Sequence, residues 1–170
     1  MNWVARAGKE RLTIYVRKLE IVAMTPAALA LLAGCYAPQV DFGRLKPGDL
    51  RPARSLIDRH FDTLCSLGPY QERLDKNLAV SERVNAHLSQ IRYQGGEGDW
   101  ALVLVRASDV EVLHFRRSAT LDWLTIGPDD RLPELPGQFA PASRVDAAAA
   151  VFGKIQRDDR TFIILGKMSE

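Results

Sequence analysis

Six consecutive apolar residues, Trp100-Ala101-Leu102-Val103-Leu104-Val105, constrain this chain more than any other stretch. A strand with one wet face would place polar residues at every second position; this one is apolar on both faces. It therefore reads as a strand in the middle of a sheet. Trp100 to Arg106 is predicted as that strand, Ala107-Ser108-Asp109 as a turn, and Val110 to Arg116 as the returning partner.

Around this hairpin the periodicity predicts helices before and further strands after. From Ala53 to Leu67, Leu56/Ile57, His60/Phe61, Leu64 and Leu67 recur every three or four residues, and Gly68-Pro69 stops the pattern. A second helix is predicted over Tyr70 to Arg92, with Leu74, Leu78, Val84, Leu88 and Ile91 on one side. After the hairpin come a third strand, Thr120 to Ile126, and a connection from Gly127 to Ala142. Ser143-Arg144-Val145-Asp146 has the form of a capping box opening a helix that shares Val145, Ala149, Phe152 and Ile155 on one face. A hairpin from Val151 to Gln156, turning at Arg157 to Arg160, competes with it. Thr161 to Lys167 is the last strand. The fold class expected is α+β: an antiparallel sheet of about four strands with helices packed on one face, in the order α-α-β-β-β-α-β.

The amino-terminal part follows a different logic. Arg17-Lys18 precede the uncharged run Ile21 to Leu32, and Ala33-Gly34-Cys35 follow. Twelve helical residues at ~1.5 Å each fall well short of a ~30 Å hydrocarbon core, so the run reads as a cleaved export signal. Its ending, Leu32-Ala33-Gly34-Cys35, resembles the lipobox of bacterial lipoprotein precursors. The resemblance covers Arg17 to Tyr36. It implies cleavage before Cys35, acylation of Cys35 as the first mature residue, and, with Tyr36 rather than aspartate next, an outer-membrane destination facing the periplasm. Acyl chains at ~0.8 kcal/mol per buried CH₂ would then be the membrane contact. Because twenty residues precede the apolar run, a compact signal would begin near Val16. The expected organisation is a signal peptide over 1–34, a lipidated flexible tether rich in Pro and Gly over 35–52, and a single domain over 53–170.

Charge and motifs narrow the function classes. Five of the 23 basic and two of the 21 acidic residues precede Cys35, leaving 18 against 19, which is no nucleic-acid profile. His60, His87 and His114 sit in separate elements without ligand partners at metal spacing, so no metal or cofactor is expected. No nucleophile elbow or Gly-rich dinucleotide fingerprint occurs, and no catalytic residue is assigned. Asp129-Asp130 and Asp158-Asp159 read as turn residues. Cys65, four residues after Phe61, is expected to be a buried structural thiol.

Two surfaces are candidates for partner binding. In the Pro-rich connection, Leu132, Leu135 and Phe139 lie on backbone that proline keeps extended; they read equally as a binding loop or as a bridge pinned across the core. Arg116 and Arg117 beside His114 form either an anion-contacting edge or a charged strand end that discourages pairing. The function expected is a lipid-anchored, non-enzymatic binding or assembly accessory of the cell envelope, with a protein or glycan partner. The alternative is a small envelope hydrolase using residues such as Glu111, His114 and Arg117.

Overall fold

The computed structural model describes residues 40–77, 79–126 and 132–169, which belong to one compact unit. The segment expected to be a signal peptide, Cys35, Leu78 and Asp129-Asp130 lie outside the described residues. Nine strands and one α-helix are present among those described: β1 (Leu50–Pro52), β2 (Thr63–Leu67), α1 (Ser81–Gln90), β3 (Asp99–Val105), β4 (Val110–Arg116), β5 (Asp122–Trp123), β6 (Phe139–Pro141), β7 (Arg144–Asp146), β8 (Val151–Arg157) and β9 (Arg160–Met168). The architecture is mostly β, in two sheets, and so corrects the expected α+β sheet with helices on one face.

One sheet has the order β4-β3-β2-β7; in the other, β1-β8-β9 continues to β5, and β6 also pairs with β9. Pairing is antiparallel except for β5 with β9. One strand-like stretch, β6 to β7, runs from one sheet into the other. Ala142 N–H still bonds Leu165 of β9 at 3.0 Å, while Ser143 C=O accepts from Ser66 of β2 at 2.9 Å, so the chain switches sheets between adjacent residues.

Three apolar clusters follow from this layering. The inner faces of both sheets meet around Leu64, Trp100, Leu102, Leu104, Leu113, Phe152, Ile163 and Leu165. Outside the first sheet, α1 lays Val84 and Leu88 over Cys65, Ala101, Val103 and Val105. Outside the second, Leu135 and Phe139 lie over Ile155 and Ile164. β3 is buried on both faces because it has a cluster on each side.

The predicted helix from Ala53 to Leu67 is instead a 3₁₀ turn, Ala53–Ser55, followed by β2. All five residues of β2 are buried, which a one-sided helical stripe cannot achieve but a strand between two layers does. The second helix is shortened to Ser81–Gln90. Ahead of it, Leu74 has its backbone N–H and C=O clamped by the Asn85 side chain at 2.8 and 3.0 Å, which takes them from any helical ladder. The predicted helix after Ser143 is replaced by β7, a turn at Ala147–Ala150, and β8. Val151, Phe152 and Ile155 favour strands, and Gly153 weakens a helix interior. The competing hairpin is the observed form, turning at Asp158-Asp159 with Asp158 at φ 51°. The third strand shrinks to β5. The hairpin β3–β4 and the strand β9 lie where the apolar runs placed them.

Residues 40–52 are not a loose connection. Val40, Phe42 and Leu45 are buried in the inner cluster, and β1 pairs with β8. The Phe42 ring sits 5.8 Å from Phe115 of one sheet and 5.2 Å from Phe152 of the other, so it touches both.

Candidate functional site

The sequence candidates separate into inward and outward groups once folded. Leu135 and Phe139 are 5% and 8% exposed, with Leu132 packed at their margin. Two glycines make room for them. A Cβ on Gly153 would stand 2.6 Å from Leu135 Cδ1, and one on Gly166 would stand 2.6 Å from Phe139 Cε2. Of the two readings of the Pro-rich connection, the geometry is that of the bridge: these side chains cover the outer face of the second sheet.

Arg117 also turns inward. Its guanidinium forks onto the fully buried Asp122, Nε to Oδ1 at 2.6 Å and Nη2 to Oδ2 at 3.1 Å, while Nη1 donates to Glu97 C=O at 3.0 Å. Arg160 Nη2 donates to Asp122 Oδ2, and Trp123 N–H donates to Oδ1 at 2.8 Å. The hydrogen bond to Asp122 raises the Arg117 pKa above its ordinary value. This network ties the end of β4 to β5 and the start of β9, and it consumes Arg117 as a structural residue.

The residues of the hydrolase alternative are not brought together. Glu111 opposes Leu104 on the inner face and pairs with Arg59 and with Arg106, the latter at 3.0 Å. His114 opposes Ala101 on the helix-side face, its ring 5.8 Å from Tyr93 and its Nε2 3.7 Å from Asp99. Alternation along β4 sends the two side chains to opposite faces. Among the described residues, no group of His, Cys, Asp and Glu is arranged to hold a metal, and no helix is long and apolar enough to cross a membrane. A small cavity of about 60 Å³ lies where β5 and β6 leave a gap along β9, lined by Ser66, Gln71, Thr125 and Ser143 among others. It has room for about two water molecules.

Cys65 is buried as expected, but on a strand. Desolvation pushes its thiol up to about 12, against a smaller opposing effect of Arg144. A polar maleimide should therefore leave Cys65 unlabelled at neutral pH until denaturant opens the sheet. Labelling of the native chain at the rate of a free thiol would contradict this burial.

Arg116 is the candidate that faces water. Its side chain is 90% exposed, at the end of a strand whose outer side has no neighbour among the described residues. Outside the strand ladders, Arg106 N–H bonds Asp109 C=O at 2.8 Å and Arg117 N–H bonds Gly98 C=O at 2.7 Å, so the odd-numbered positions of β4 face β3. In an antiparallel ladder the intervening positions point the other way. Val112, His114 and Arg116 thus direct their N–H groups away from the sheet; that of Val110 is taken by Asp109 Oδ1 at 2.9 Å.

The other rims are short: β1, β6 and β7 have three residues each and β5 two, with Pro52 in β1 and Pro141 in β6. β4 runs seven residues without proline and in unbroken register with β3. Sequence reasoning noticed Arg116 and the strand, but not the open side, because strand order is not written in periodicity. No protein-family model, curated protein or solved structure matches the chain.

Proposed function

We propose that this chain is a lipid-anchored, non-enzymatic binding or assembly accessory of the cell envelope, held on the periplasmic side of the outer membrane through Cys35 and engaging a protein partner along the open edge of β4. The observation that carries the binding part is the seven-residue edge of β4, unpaired among the described residues, since an exposed row of N–H and C=O groups is a template for strand addition. The anchor part rests on the lipobox-like Leu32-Ala33-Gly34-Cys35.

The packing of Val40 and Phe42 in the core adds a constraint on how such a protein would work. Only four residues, 36–39, separate Cys35 from Val40. At no more than ~3.6 Å per residue, the acylated end would lie within about 18 Å of the folded unit. The accessory would therefore act next to the bilayer surface, on partners that are themselves membrane-bound or close to it.

Two measurements test this reading. Cys35→Ala should leave a larger, unprocessed precursor and abolish labelling by a fatty-acid analogue; normal processing and labelling would end the anchor assignment. A photo-cross-linking residue in place of Arg116, in the full chain in its native envelope, should give protein adducts that disappear when Val112→Pro is added. Adducts indifferent to Val112→Pro would remove the edge as the binding surface.

A further inference from the structure

We infer that the occupant of the β4 edge is a second copy of this chain, paired antiparallel with β4 about a twofold axis through Leu113. The inference rests on the open-edge reading above and names its partner. Three features of the strand favour a copy of itself.

The edge is self-complementary in register. With Leu113 opposite its own counterpart, Val112 faces His114 of the other copy and Val110 faces Arg116, so all seven residues of each strand are covered. The edge-directed positions then meet edge-directed positions, which is what antiparallel hydrogen-bonded pairs require. Moving the axis to Val112 or His114 leaves strand ends overhanging. The amide of Val110, already satisfied by Asp109, falls at the end of the ladder, where its loss matters least.

The charges also alternate in the right sense. β4 opens beside Asp109, 58% exposed and 3.4 Å from Arg106, and closes on Arg116, 90% exposed and at the 4.0 Å limit of a pair with Asp99, so both keep a side open to a further partner. Antiparallel copies bring the acidic end of each strand to the basic end of the other; parallel copies would set Arg116 beside Arg116. At the middle of the edge stand Val112, Leu113 and His114, with no proline and no lysine, whereas strands built to refuse partners place such groups there. Pairing of this kind preserves faces, so the two sheets become one continuous sheet with both α1 helices on one side and both inner clusters on the other.

Cysteine cross-linking in membranes holding the full chain tests the register. Directly opposed residues have Cα atoms ~5.5 Å apart, within the range a disulfide spans. Val112→Cys and His114→Cys combined in one chain should convert most of it to covalent dimer under mild oxidant. Either alone should give at least tenfold less. Strong self-cross-linking by one variant alone would overturn the register, and no cross-link in any combination would overturn self-pairing.

Val112→Pro supplies the second measurement on purified, detergent-solubilised full chain. The Val112 N–H does not bond β3, so proline there removes no intrachain ladder bond, and the variant should melt as a folded protein while running as a monomer beside a dimeric parent. A parent that is monomeric at high concentration refutes self-pairing. If Val112→Pro nevertheless strips another protein's adduct from the lipoprotein in the envelope, the binding function stands with a different partner. If neither dimer nor adduct responds to Val112→Pro, both readings fall.

Discussion

Replacing Leu135 and Phe139 together by alanine should destabilise the folded chain by about 5 kcal/mol or more, as expected when two buried large side chains are truncated over a sheet face. Whole-domain stabilities are only ~5–15 kcal/mol, so the double variant should lose a third or more of its stability and show a strongly lowered urea midpoint. The physical reason is that these two side chains, with Leu132 at their edge, keep Ile155 and Ile164 from water. A loss below about 1 kcal/mol would mean that the connection only rests on the surface, as a binding loop would.

The same packing predicts a coupling. Gly153→Ala brings a methyl group against Leu135 Cδ1 and should be destabilising in the parent. In a Leu135→Ala background that obstacle is gone, so the cost of Gly153→Ala should fall. Additive costs in a double-mutant cycle would refute the contact.

Asp122→Ala is expected to have the next largest effect. It leaves Arg117 facing a buried gap and removes the acceptor for Trp123 N–H. Breaking a buried ion pair from one side costs ~3–5 kcal/mol. The lower end applies here, because the Arg117 and Arg160 side chains are 26% and 48% exposed and retain access to water. Arg160→Ala should cost clearly less than Asp122→Ala, since Arg117 still neutralises the carboxylate. Equal losses for the two variants in thermal melts would show that the network does not depend on the buried carboxylate.

The covering loop and the Asp122 network both act on β9, the strand that pairs with β8 on one side and with β5 and β6 on the other. The β4 edge lies in the other sheet. Val112→Pro should therefore alter association without disturbing the core, and it should be separable from the core variants by melting temperature alone.

The residues by themselves determined what depends on near neighbours. The hairpin from Asp99 to Arg116 was legible because six apolar residues in a row and a polar turn admit few other local structures. The apolar centre of β9 and the burial of Cys65 were legible for the same reason: apolarity specifies an interior position whatever element carries it. The lipobox-like ending before Cys35 is a statement of sequence alone.

What only the tertiary structure decided was which interior each apolar group enters. Leu64 and Leu67 recur at helical spacing, yet they lie on opposite faces of β2, one in the inner cluster and one beneath α1, because two layers exist for them to enter. Leu135 and Phe139 read equally as loop and as bridge until Gly153 and Gly166 were brought beneath them from strands that follow in sequence. Arg116 and Arg117 are identical neighbours in sequence; alternation along β4 and the distant, buried Asp122 made one a clasp on that carboxylate and left the other in water. The open side of β4 follows from strand order, which is fixed by contacts between residues far apart in the chain and therefore leaves no periodic signal to read.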